Sequence, residues 1–224
     1  MIQRKIISIL SSAILWVPLI FFSLLLSHNA ILYFTHGGEY GILPEKRVAQ
    51  QDFFWNAAFY IHLPSGIICL LSPIILFTRR FIKRGLVLHQ FVGKIYVWIT
   101  LFVVCPTGMY LALYAKGGFV TQVGFMLQAI LLAIFTYLGY TAVKRGNKSN
   151  HFHYMIRSYA VASVVLTFRI LHILFFLWNV PYQDNYAISQ WLGLFGNLLF
   201  AESIIVFISI INSKKTIQLK SLSL

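Results

Sequence analysis

Residues 151–172 read HFHYMIRSYAVASVVLTFRILH, with His151, His153 and Arg157 at one end, Arg169 and His172 at the other, and an apolar run between. Imidazole and guanidinium groups in apolar surroundings ligate haem iron, move protons or hold oxyanions. His62, His89, Lys94 and Glu202 add further ionisable groups in equally apolar stretches, and Thr107, Gln128 and Asn197 add neutral polar ones. Which of these can meet depends on the helices that carry them.

The chain has 224 residues, 59% hydrophobic and 10% charged, with a mean hydropathy of +0.78. Apolar runs of about twenty residues, enough to cross a ~30 Å hydrocarbon layer, recur along it. They predict an all-α, polytopic membrane bundle, a single transmembrane domain over residues 1–224 with six spans at 6–34, 53–78, 88–115, 119–143, 153–179 and 187–212. The first run is too long for a signal-peptide core and lacks a small-residue cleavage site, so it is expected to be retained.

The +13 net charge is distributed as membrane topology requires, and the pattern argues against nucleic acid. Arg4, Lys5, Arg79, Arg80, Lys83, Arg84, Lys144, Arg145, Lys148, Lys214, Lys215 and Lys220 fall on one side, whereas the other side holds only Lys46, Arg47 and Lys116 and carries most of the acids, Glu39, Glu45, Asp52 and Asp184. The positive-inside rule then places both termini in the cytoplasm, the basic loops against anionic headgroups and the 35–52 loop outside as a cap. Cys69 and Cys105 lie within spans and read as small buried hydrophobes, with no disulfide framework.

Polar side chains within a span face the bundle interior. At helical spacing, span 5 aligns His151, Met155, Ser158, Ala162, Val165, Arg169 and His172. Span 3 aligns His89, Gly93, Tyr96, Thr100, Val103, Thr107, Tyr110 and Tyr114, and span 2 aligns His62, Gly66, Cys69 and Pro73. Helices 2–5 are therefore expected to form the core, with span 1 peripheral. Counting ~1.5 Å per residue puts His62, Thr107, Gln128, Arg169 and Asn197 at one outer-half level, with His172 a turn shallower. These residues are expected to line one ligand cavity. His89, Lys94, His151, His153 and Arg157 gather at the cytoplasmic edge. Glu202, deeper in the inner half, needs Lys94 or Arg157 as an ion-pair partner, or else transfers protons.

The segments HQFVGKIY (89–96), HFHYMIRSYAVASVVLTFR (151–169) and WLGLFGNLLFAE (191–202) resemble an uncharacterised bacterial membrane family, domain of unknown function 2306. The family pattern, H-R-x-x-G-R-x-Y, then H-R-x-W-M-I-R-S-Y with a later T-L-R, then W-x-x-x-x-x-N-L-x-x-x-E, falls on His89, Gly93, Lys94 (Arg in the pattern), Tyr96, His151, Met155, Arg157, Ser158, Tyr159, Arg169, Asn197 and Glu202. His62, early in span 2 and just ahead of Gly66, also fits the family; Phe152 and Tyr154 depart from the pattern, and His153 and His172 lie outside it. The resemblance covers roughly residues 53–205. It implies a multi-pass protein of the bacterial inner (cytoplasmic) membrane and no particular reaction.

Three functional classes fit these residues. The first is electron transfer on b-type haem, linked to a quinone. An outer pair, His62 and His172, would ligate one haem with Arg169 at its propionates, and an inner pair, His89 and His151, a second with Lys94 and Arg157. His151 and His172 lie 21 residues apart, about 31 Å of helix, a wide spacing for two haems stacked across one membrane. The second class is an enzyme or carrier for an anionic lipid-soluble molecule held at Arg169, whose depth offers no carboxylate. The third is a non-catalytic assembly or accessory subunit. No H-x-x-x-H or H-E-x-x-H occurs, and His151 and His153 point about 200° apart on a helix, so no metal site is expected.

Overall fold

The computed structural model describes residues 13–77 and 86–221, with side chains over 20–77 and 86–211. The expected basic residues Arg4, Lys5, Arg79, Arg80, Lys83 and Arg84, and the side chains of Lys214, Lys215 and Lys220, lie outside that range. The helices are α1 (Ala13–His36), α2 (Phe53–Leu76), α3 (Leu86–Ala112), α4 (Gly118–Lys144), α5 (Lys148–Leu177) and α6 (Tyr182–Ser221). Five of them, α2 to α6, are long and apolar enough among the described residues to cross a membrane. The expected first span, 6–34, is described only from residue 13, as α1.

Turns of three to five residues join α3 to α4, α4 to α5 and α5 to α6, so these neighbours in sequence pack antiparallel. Contacts between the 37–52 loop, the α3–α4 turn and the start of α6 define one end of the bundle. There the Lys46 ammonium donates to the Tyr114 carbonyl, Lys116 pairs with Glu45, and Lys116 lies over the Tyr182 ring at 5.6 Å.

Helix 6 is part of the core, which corrects the expectation that helices 2–5 form it alone. Leu194 on α6 is fully buried in one cluster with Val161 and Val164 of α5 and Leu132 of α4, and Gln190, also fully buried, donates to Gln128 of α4. The reason is sequence proximity of a different kind: a four-residue turn brings α6 straight back along α5, so it covers the face that α2 and α3 leave open.

Among the described residues, α3 and α5 depart from regular geometry. In α3 a π turn over Thr100–Val104 precedes Pro106, which has no N–H to continue the ladder. It sets Thr100 inward, where its hydroxyl meets the Cys69 thiol of α2 at 3.4 Å. In α5 the helix stops at Ala162 and restarts at Val164. Ser163 has ψ −3°, far from the helical value of about −42°.

The 37–52 loop is a packed cap built of three 3₁₀ turns, Gly37–Glu39, Leu43–Lys46 and Ala49–Gln51. Leu43, Ala49, Tyr33 and Trp55 form its own small core, with the Trp55 and Phe59 rings stacked at 5.1 Å. Asp52 fastens the loop to two helices. Its carboxylate accepts from the Phe54 amide at 2.9 Å, capping α2, and from the Tyr110 hydroxyl of α3 at 2.7 Å. The Tyr110 and Phe54 bonds hold the Asp52 carboxyl below its ordinary value of 3.8. A depressed carboxyl stabilises the folded loop above its unfolded value, and that contribution is lost as pH falls below 3.8 toward the folded value. On acidification, Trp55 emission, isolated by difference against Trp55→Phe, should therefore shift red in that window. Asp52→Asn, which keeps the cap but has no charge to lose, should flatten the shift; identical acid profiles would show that Asp52 does not hold the loop.

Candidate functional site

The interior is wired by polar side chains in separate pairs and triads. The Tyr96 hydroxyl (α3) and the Thr136 hydroxyl (α4) each lie 2.7 Å from the Ser158 hydroxyl (α5), and all three residues are buried. His62 (α2) bonds through Nδ1 to the Thr107 hydroxyl (α3) at 2.8 Å. Its ring rests on Gly108, where a Cβ would come within 3.2 Å of the imidazole. His172 (α5) shares a 2.9 Å bond with Asn185 (α6), whose amide returns a bond to the His172 carbonyl, and the ring stacks on Phe168 and meets Tyr186 edge-on. His62 and His172 are thus engaged between different pairs of helices.

The interruption of α5 at Ser163 organises the amides. A break exposes carbonyls that water would satisfy in a soluble protein. Here Asn197 (α6) donates to the Ala160 carbonyl at 3.0 Å and accepts from Thr167 at 2.9 Å. Gln128 (α4) donates to the Val161 carbonyl at 3.2 Å and accepts from Gln190 (α6) at 2.9 Å. The family-pattern Asn197 is therefore spent on the backbone of its neighbour.

At the other end of the bundle, Arg157 (α5) grips Glu202 (α6) bidentately, Nε at 2.5 Å and an Nη at 2.7 Å, with the Tyr154 ring 5.8 Å from the guanidinium carbon. Lys94, the other expected partner, is exposed and makes no ion pair among the described residues. His151 donates its Nδ1–H to the Gly139 carbonyl, 2.8 Å away, while the Nδ1 of His89 is buried without a partner.

Arg169 sits elsewhere. It is exposed, has no hydrogen-bond or ion-pair partner among the described residues, and lines a groove of about 300 Å³ between α1 and the second half of α5. None of His62, Thr107, Gln128, Asn197 and His172 lines that groove. The expectation of one cavity shared by these residues is corrected accordingly. The Ser163 interruption slips the phase of α5, so the stripe that runs inward through Ser158 and Ala162 continues through Val164 and Thr167, while Arg169 emerges beside it. The other polar residues are each consumed at a helix contact.

The α1 wall supplies Phe22, Leu25, Leu26, Leu32, His28 and Asn29, the α5 wall Leu166, Ile170 and Ile173, and Tyr40 from the loop closes the top. His28 and Asn29 lie seven or eight residues below the end of α1, and Arg169 eight below the end of α5, so all three are ~12 Å from the loop end of their helices. The Asn29 side-chain carbonyl is buried without a donor. His28 and Asn29 are the residues that periodicity missed. They lay in plain view as a polar dipeptide in LLLSHNAILYF, but a two-residue signal makes no stripe. Among the described residues no acid and only one cation line the groove, in otherwise largely apolar walls.

The family model for predicted membrane proteins, DUF2306, matches residues 59–205, from the first turns of α2 to beyond Glu202 in α6. The chain belongs to that family. The matched stretch holds the α5 wall of the groove with Arg169, the Arg157–Glu202 pair and the Asn197 brace; the α1 wall precedes it. No curated protein and no solved structure matches the chain. The family and the helices together make it a multi-pass membrane protein.

The Glu202 carboxylate is half-exposed and its Arg157 partner less so, so the pair is worth less than a fully buried one and more than a surface one, about 1–2 kcal/mol. Glu202→Gln should lower the thermal midpoint in detergent by an amount of that order, and the double reversal Arg157→Glu/Glu202→Arg should recover part of it. An unchanged midpoint together with lost function would assign Glu202 to proton transfer instead.

Proposed function

We propose that the protein binds an anionic, lipid-soluble molecule within the membrane, as a carrier or an enzyme, in the groove between α1 and α5. One observation carries the reading: Arg169 presents an unpartnered guanidinium at ~12 Å depth in a groove of apolar walls with no acid. A guanidinium in that medium costs several kcal/mol unless an anion or a set of acceptors meets it. Every other charged or amide side chain expected at this level has a partner inside the bundle; Arg169 alone among them does not. On the topology drawn from the charge distribution, the termini are cytoplasmic and the groove opens to the outer leaflet of a bacterial inner membrane.

A haem reading draws support from one place only. His89 leaves a buried ring nitrogen free on α3, and His151 on α5 is already oriented by a backbone carbonyl, the usual arrangement of an axial ligand. A Soret band from protein purified out of haem-replete cells, lost in His89→Ala, would favour it over the anion reading.

Two measurements test the proposal. Full extraction of lipid-soluble material from purified wild type and Arg169→Met, followed by untargeted mass spectrometry, should show an anionic species depleted about ten-fold or more in the variant. Equal recovery of every species from two equally folded preparations removes the reading. For the orientation, a cysteine at Val48, which is 85% exposed, should react with a membrane-impermeant reagent from outside intact cells. Reaction only after permeabilisation inverts the topology.

A further inference from the structure

Resting on the role assigned to Arg169 above, we propose that the occupant of the groove is a phosphate-bearing lipid of the surrounding bilayer. It slips in sideways between α1 and α5 with its phosphate on Arg169 and its chains still in the membrane.

The first argument is the shape. The groove is not closed on the lipid side: Phe22, Leu25, Ile170 and Ile173, which line it, are also exposed on the bundle surface, at 36%, 48%, 37% and 59%. A volume of about 300 Å³ is at the low end for a small-molecule site, room for a headgroup and the first carbons of a chain but not for a whole lipid. The remainder must stay outside, and apolar chains remain outside at no cost only if outside is hydrocarbon. A water-soluble anion would leave Leu25, Leu26, Leu166 and Ile170 without a partner and would have to cross the Tyr40 roof.

The second argument is the level. Polar groups lie in one band, His28, Asn29 and Arg169, with apolar wall toward the bilayer centre at Phe22, Leu25 and Leu166, and an aromatic roof at Tyr40. Head up and chains down is the orientation of a lipid in the leaflet at the loop end. The arginine stem is long enough to carry its head several Å toward that interface, which is where lipid phosphates lie.

The third argument is charge. Among the described residues the groove has one cation and no acid, so the ligand must bring the negative charge. A quinone brings none. A fatty acid brings a carboxylate, whose ionisation desolvation opposes and the guanidinium favours, so its charge depends on the balance of the two. A phosphodiester stays ionised, and its two free oxygens match the planar fork of arginine. Asn29 and His28 beside it offer an acceptor and an imidazole to a hydroxyl or N–H on the headgroup, and the Asn29 carbonyl is in need of such a donor.

The experiment uses the full chain, delipidated in detergent and presented with an equimolar mixture of phosphatidylglycerol, oleate and a short-chain ubiquinone, with native mass spectrometry as readout. Wild type should retain one phosphatidylglycerol. Arg169→Met should lose it by about ten-fold or more. Arg169→Lys should retain less than wild type, because an ammonium cannot grip two oxygens. Leu26→Trp, which fills the groove and leaves the guanidinium in place, should also lose it and serves as the test should Arg169→Met fail to fold. Millimolar inorganic phosphate should not displace the bound lipid. Arg169-dependent retention of oleate or of the quinone instead of phosphatidylglycerol overturns the phosphate-lipid assignment while leaving an anion or oxygen site at Arg169. Displacement by free phosphate overturns the lipid source. Retention of no species in an Arg169-dependent way overturns this assignment and the proposed function together.

Discussion

A polar group in hydrocarbon has no water to bond, so each one inside this bundle must be met by another part of the chain or by something the chain binds. The fold is organised by how those obligations are met. The break in α5 is the largest of them. Ser163 interrupts the helix midway along its length and exposes the Ala160 and Val161 carbonyls. Asn197 reaches one from α6, and Gln128 reaches the other from α4. Because each brace comes from a different helix, the interruption that would weaken an isolated span here joins three of them.

The same rule explains why so little of the polar interior is available for chemistry. Tyr96, Thr136 and Ser158 satisfy one another; Thr107 takes His62; Asn185 takes His172; Arg157 takes Glu202. Interhelical bonds of this kind each contribute modestly in membranes, ~0.5–2 kcal/mol, but they fix register where apolar surfaces alone would slide. A histidine or an asparagine in a span is therefore first a packing device. What stands out, beyond single buried atoms such as the Asn29 carbonyl and the His89 Nδ1, is a whole guanidinium left without a partner. Arg169 is turned out of the network by the phase slip at Ser163 and faces a groove whose second wall is α1.

That arrangement gives α1 a purpose beyond covering α2. Its aromatic side chains, Tyr33 and Phe34, seat it on Phe59 and Tyr60 of α2, while Tyr33 also receives the Ile42 amide from the loop. The helix is thus held at its loop end by α2 and the cap, and its apolar flank, with His28 and Asn29, is left facing α5 across the groove.

From the sequence alone came the membrane class, the all-helical architecture, the positions of the five candidate spans α2 to α6 to within about five residues, the family, and the prospect that Glu202 meets Lys94 or Arg157. Those follow from run length, charge position and local spacing, which are properties of the chain before it folds. The inward stripe of α5 was right through Ala162 and failed at Arg169, because a single residue with ψ −3° shifts everything after it and nothing in the composition of VASVV announces that turn. The single outer cavity failed for a related reason: depth along a helix is additive in sequence, but direction around it, and which neighbour answers each polar group, depend on how all the helices pack. Only the tertiary structure chose Arg157 over Lys94 for Glu202, spent Asn197 and Gln128 on backbone carbonyls, and brought a two-residue polar signal on α1 to the level of Arg169. Each of those choices is a contact between groups far apart in the chain, decided by the need to leave no polar group alone in hydrocarbon.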